Sequence, residues 1–343
     1  MARRTHVFDP DLGIRMLPNV RARVRHESGG FLIAANSDGF RDKEFQVRRS
    51  PGKRRILLYG DSFTYGDGVA RTDRFGDLLQ AALPDVEIYN LGIVGSGTDQ
   101  QFLAHRLVGA RLEYDMVLIA PWVENIKRNV QHYRLWKETS PGYPDELELL
   151  WLAKPYFELD PSGRLSLHNQ PVPPPTPYAG AHDFAADETG VGRLDGLRWR
   201  LCERHPRLKD LLQRVIRYQP AGPYQRPDDP AWLLMKAILT QWSDEVDTPV
   251  LICPIPMYQH IEGAASAKAV GERFAELHRP ESGVHVFDAL PAMAQGSRRE
   301  RRSLRFATDI HFSPAGHRAF ADAIVREVAR VLDEAAVPHA GVK

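Results

Sequence analysis

Cysteine is scarce in this chain of 343 residues: only Cys202 and Cys253 occur, with no C-x-x-C spacing. A disulfide framework and a Cys-rich zinc site are thereby excluded. Cys253 lies in an apolar run and reads as a core residue. Charge of one sign is also missing. Lys and Arg total 45 against 44 Asp and Glu, so nothing electrostatic favours nucleic acid or an anionic membrane as partner. Long apolar runs are absent too, and stretches such as Met116–Val123 are far too short to cross a bilayer. The first residues, MARRTHVFDPDLGIRMLPN, carry two arginines but no apolar h-region, so they do not read as a secretory signal. The expectation is a cytoplasmic protein with no membrane or nucleic-acid partner. No internal repeat is visible, and no feature assigns an oligomeric state.

What is present is ordinary for a globular protein: 43% hydrophobic and 26% charged residues. A chain of this length buries a large core without a metal or disulfide staple. Residues 1–52 form an Arg-rich preface with a turn at Ser37-Asp38-Gly39, expected to pack on the core. From residue 53, short apolar runs alternate with helical patterns. Strands are expected at Arg54–Tyr59, Val86–Asn90, Asp115–Ala120, Val250–Pro254 and Val284–Asp288. Helices are expected at Phe75–Leu83 (N-cap Thr72 or Asp73), Gln100–Val108, Ala231–Val246 after Pro230, Ser266–Leu277 and Pro314–Leu332 (N-cap Ser313). This alternation predicts an α/β fold with a doubly wound parallel sheet. The rhythm breaks over 131–228, which holds the proline-dense stretch Pro171–Pro177 and a short helical pattern at Leu208–Tyr218. Residues 53–130 and 229–343 are thus expected to form the core. Residues 131–228 read as an insertion, either a lid or substrate-shaping element or a plain surface addition.

In such a sheet the chemistry collects at the carboxyl ends of the strands. After the first strand comes Gly60-Asp61-Ser62-Phe63-Thr64-Tyr65-Gly66, which can expose a serine on a tight strand-to-helix turn. An N-cap serine is the plainer alternative. A phosphate loop fails on its spacing and lacks the lysine. After the second strand, Gly92, Gly95 and Gly97 allow close backbone approach to a ligand, but not in dinucleotide order. After the third, Asn125 can offer its amide to a developing oxyanion, or serve as a turn residue. Trp122, Glu124 and Arg128 follow the same strand end and are further candidates to face the pocket. Before the last helix lies Thr308-Asp309-Ile310-His311-Phe312-Ser313-Pro314, where Asp309 is close enough to hold the tautomer of His311. His317 falls inside the helix and reads as structural or surface. With no third ligand at suitable spacing, it forms no metal pair with His311.

In this order the chain resembles the SGNH/GDSL hydrolases, whose blocks are named for Ser, Gly, Asn and His. The resemblance covers about 54–130 and 229–334. It implies a flavodoxin-like three-layer sandwich with a five-stranded parallel sheet. It also implies Ser62 as nucleophile, His311 as general base and Asp309 as the orienting acid. The implied oxyanion hole is the Ser62 N–H, the Gly95 N–H and the Asn125 side chain. No metal or organic cofactor is called for, and the expected partner is a small-molecule or carbohydrate ester. Two features depart from the pattern. The third block reads Val123-Glu124-Asn125-Ile126 instead of Gly-x-Asn-Asp. The acid lies two residues before the histidine, a spacing that resembles the branch containing polysaccharide O-acetyltransferases. The implied activity is esterase, with O-acyl transfer to a hydroxyl as the alternative. A binding protein that kept only the fold, or a nucleotide-binding flavodoxin-like protein, would belong to other classes.

Overall fold

A computed structural model describes residues 4–140, 143–177 and 220–335. The centre is a five-stranded parallel sheet of β5 (Arg54–Gly60), β6 (Val86–Gly92), β7 (Met116–Ala120), β13 (Val250–Ile252) and β14 (Val284–Val286). Its order is β14-β13-β7-β5-β6, with Leu57 beside Val117 and Ile88 beside Ile56. All five residues of β7 are buried, as is β5 from Arg55 onward. Strands covered on both faces need continuous apolar sequence, not alternation, and RRILLYG and MVLIA supply it.

Successive side chains of β5 point to opposite layers. Tyr59 meets Trp242 at 4.9 Å, edge to face, and Trp242 stacks on Phe102 at 5.6 Å. This layer holds the helices Thr98–Leu107 and Pro230–Asp244. In the other layer Phe75 packs edge-on against Phe320 at 4.9 Å, joining the helices Phe75–Ala82 and Pro314–Ala335. The chain leaves β5 toward β6 on one side and reaches β7 on the other. A crevice therefore opens at the carboxyl ends of β5 and β7.

Two expectations on helix ends are corrected or sharpened. Thr72 and Asp73 do not cap the helix at Phe75; they lie in a 3-10 turn, Arg71–Asp73, and Arg74 precedes the helix without a side-chain cap. Arg74 is instead buried against Asp77, with 2.6 Å between Nη2 and Oδ2. Asp229 caps the helix at Pro230 by accepting from the Ala231 N–H at 3.0 Å.

The N-terminal segment contains two hairpins that the sequence pattern does not announce: β1 (His6–Asp9) with β2 (Gly13–Met16), and β3 (Arg21–Val24) with β4 (Phe31–Ala34). Buried Arg41 ties the second hairpin to the chain after Ser62. It donates to the carbonyls of Leu32, Tyr65, Gly66 and Val69, and its guanidinium lies over the rings of Phe31 and Tyr65. Between β7 and β13 come further hairpins. β8 (Tyr133–Ser140), β9 (Tyr143–Ala153) and β12 (Thr176–Pro177) form one antiparallel sheet; β10 (Tyr156–Leu159) and β11 (Leu165–His168) form another. The helical pattern expected at 208–218, like Cys202, lies outside the described residues. Among the described residues no helix is long and apolar enough to cross a membrane.

Candidate active site

The turn after β5 begins with Gly60, where a Cβ would collide with the Thr64 hydroxyl and the Ala120 carbonyl. Only glycine lets β5 and β7 close at that point. Asp61, with no exposed surface, caps the one-turn helix Ser62–Tyr65 by accepting from the Phe63 N–H at 3.0 Å. Its other oxygen accepts from Asn125 Nδ2 at 3.0 Å and Arg128 Nη1 at 2.8 Å. A buried carboxylate needs such partners, and these fix the turn on which Ser62 sits.

The Asp309–His311 loop returns to this turn from far along the chain. It is closed by Phe306 N–H on the His311 carbonyl at 3.1 Å and Ser313 N–H on the Leu304 carbonyl at 3.0 Å. Ser313 also receives the Gly316 N–H at 3.3 Å, and so starts the last helix. The His311 ring lies 4.9 Å from that of Phe63. Its Nε2 is 2.7 Å from Ser62 Oγ, and its Nδ1 is 2.6 Å from Asp309 Oδ1. A carboxylate only accepts, so Nδ1 carries the ring proton and Nε2 presents a lone pair to the Ser62 hydroxyl.

Burial works against a charged His311, yet the hydrogen bond and charge of Asp309, helped by Asp67 and Asp61, raise its pKa above 6.5. Burial likewise pushes Asp309 up, but the bonds from His311 hold it well below the ordinary carboxylate range. This arrangement is able to take a proton from a buried hydroxyl and store it as a stabilised imidazolium.

Gly95 adopts φ +68°, and a side chain there would run into the Arg134 guanidinium. Arg134 donates to the Gly95 carbonyl at 2.7 Å. The N–H groups of Ser62 and Gly95 find no acceptor among the described residues. Asn125 is different: its amide is engaged by Asp61 and by the Ser96 carbonyl at 3.3 Å, and Gln101 donates to its oxygen at 3.4 Å.

No family model and no curated protein matches the chain. Solved structures do. A member of the lipolytic G-D-S-L family from Veillonella parvula is 13% identical over 81% of this chain and 99% of its own, with TM-score 0.42. A lipase/acylhydrolase from Enterococcus faecalis is 14% identical over 80% and 95%, with TM-score 0.39. An SGNH-hydrolase family esterase is 13% identical over 83% and 99%, with TM-score 0.37. The likeness is to SGNH hydrolases.

The sequence offers Trp122, Glu124 and Arg128 as candidates to face the pocket but gives no partner for any of them. Asp61 was visible only as part of Gly-Asp-Ser. Arg128, 23% exposed, closes the ion pair to it and also donates to the Ser96 carbonyl at 3.1 Å. Trp122 is buried against Phe63 at 5.4 Å, and Glu124 pairs with Lys127 at 2.7 Å. His317 is fully buried, held at a pKa of about 3 by burial, with the Phe75 N–H on its Nδ1 at 3.3 Å. It stands in the core and not at the site.

Proposed function

We propose that this protein is a serine hydrolase of the SGNH/GDSL type that cleaves an oxygen ester through a covalent acyl intermediate on Ser62. The observation that carries the reading is the unbroken line Ser62 Oγ, His311, Asp309, with spacings of 2.7 and 2.6 Å. A free serine hydroxyl is a poor nucleophile, and an adjacent imidazole with its tautomer fixed is what activates it.

Ser62 Oγ attacks the ester carbonyl as its proton passes to His311 Nε2. Asp309 steadies the imidazolium. The developing oxyanion rests on the Ser62 and Gly95 N–H groups, each contributing about 3 kcal/mol to barrier lowering. Asn125 is the third donor: it turns one amide hydrogen away from the Ser96 carbonyl, which Arg128 continues to serve. His311 returns the proton to the leaving alcohol. Water then attacks the acyl carbonyl with His311 again as base, releasing the acid and restoring Ser62. A small ester, of a metabolite or a sugar, is the substrate class in this reading.

The test is Ser62→Ala, assayed on p-nitrophenyl acetate. A loss of roughly 10⁴-fold or more in kcat is expected, with the circular-dichroism spectrum and melting temperature retained. Wild-type turnover in the folded variant removes Ser62 as nucleophile. Product analysis with an added acceptor alcohol separates hydrolysis from acyl transfer.

A further inference from the structure

The loop joining β3 to β4 lies far from the site in sequence but touches the Asp309–His311 loop. His26 Nε2 is 3.3 Å from Asp309 Oδ2, and its ring meets Phe306 edge-on at 4.4 Å. Asp309 Oδ2 only accepts, so the ring proton that meets it sits on His26 Nε2; Nδ1 takes the Ser28 backbone N–H at 3.2 Å and lies 3.0 Å from Ser28 Oγ. Ser28 Oγ donates to the Gly68 carbonyl at 2.9 Å, anchoring the loop to the chain just past the Ser62 helix. The neighbouring Glu27 carboxylate accepts from the backbone N–H groups of Ala307, Thr308 and Asp309 at 3.0, 3.0 and 2.8 Å, and from Thr308 Oγ1 at 2.9 Å. Three successive N–H groups converging on one anion fix the backbone that carries Asp309.

Asp309 thus has both oxygens occupied. Oδ1 accepts from His311 Nδ1 and from the His311 N–H at 3.0 Å; Oδ2 faces His26. The terminal torsion of an aspartate is soft, with a broad preference. One hydrogen-bonded oxygen alone leaves the carboxylate free to swing, and its side chain is 29% exposed to competing water.

We infer that His26 is a positioning residue for the hydrolysis proposed above, pinning the outer oxygen of Asp309 so that the inner one stays on His311, while Glu27 holds the supporting backbone. The N-terminal hairpin is on this account part of the active site. The groups facing the His311–Asp309 pair are Ser62, Asp61 and Asp67 on the nucleophile side, with His26 and Glu27 on the hairpin side.

The test compares wild type, His26→Ala and His26→Gln on p-nitrophenyl acetate across pH. His26→Ala is expected to lower kcat about tenfold, the scale of one hydrogen bond to a charged group, with KM held. The pH inflection of kcat/KM is expected to move downward, because a carboxylate free to swing off His311 supports the imidazolium less. His26→Gln, whose amide N–H reaches the same oxygen, is expected to recover most of the rate. A folded His26→Ala enzyme with wild-type kcat and inflection overturns the inference. So does a variant that only melts lower with its inflection unmoved. A measurement on intact protein guards against misfolded variants: ¹⁵N NMR of the wild type is expected to show a proton on His26 Nε2, and an unprotonated Nε2 refutes the assignment. The inference rests on Ser62 chemistry, yet the two fail separately. An active Ser62→Ala enzyme removes both, whereas an inert Ser62→Ala beside a wild-type-like His26→Ala removes only the role of His26.

Discussion

Asp61 and Asn125, 64 positions apart, meet through a 3.0 Å hydrogen bond in which the amide donates to a fully buried carboxylate. The bond locks the turn after β5 to the turn after β7 at the mouth of the sheet's crevice. It also gives Asn125 a second duty beside any contact with an oxyanion.

Asn125→Ala removes a donor from Asp61 and from the proposed oxyanion niche together. A fall of roughly 10²-fold in kcat is expected, the usual scale for one such donor. Steady-state kinetics at saturating p-nitrophenyl acetate measures it. An unchanged kcat with lowered stability would leave Asn125 a purely architectural residue.

The pH profile follows from the sign of the His311 shift. Only the unprotonated ring accepts the Ser62 proton, and Asp309 raises the ring's pKa above 6.5. Wild-type kcat/KM is therefore expected to climb with pH through an inflection above that ordinary value. In Asp309→Asn the main raising influence is gone, leaving burial opposed only by the charges of Asp67 and Asp61, so the inflection shifts to lower pH. The rate drops by roughly 10⁴-fold as the tautomer is lost. An Asp309→Asn profile that superimposes on wild type would remove Asp309 from the mechanism.

Trp242 is fully buried between Tyr59 and Phe102 on the sheet face away from the last helix. Trp242→Ala is expected to cost about 3–5 kcal/mol through the cavity it leaves. Urea unfolding, with midpoint and slope both fitted, reads this out. A loss below about 1 kcal/mol would mean that the layer repacks freely.

The central sheet was readable because a strand buried on both faces has to be spelled as a continuous apolar run, and Arg54–Gly60 and Met116–Ala120 are spelled that way. Ser62, Asn125 and His311 stood out because each follows or precedes such an element at a fixed offset. The N-terminal hairpins left no comparable mark. Their strands are four residues long, and Arg21–Val24 is largely polar and partly exposed. His26 and Glu27 had no local signal at all, since their partners lie about 280 positions away. Nor does local patterning reveal that Arg128 will neutralise Asp61, because a helix of five residues shows too little periodicity to orient its side chains. Of the strands after β7, Thr176–Pro177 is only two residues long and lies in the proline-dense stretch, too short to show a pattern.

Lys154, just past the longest hairpin strand, reaches into the protein to pair with fully buried Asp99 and donates to the Arg128 carbonyl at 2.8 Å. Anyone grafting a different segment between β7 and β13 inherits that aspartate. Its only cationic partner in the described residues would leave with the excised piece, stranding a lone anion in a dry interior at a penalty of about 3–5 kcal/mol. A chimera that keeps Lys154, or replaces Asp99 with a neutral residue in the same step, avoids that outcome, so the cut sites for exchanging this segment are set by one ammonium group.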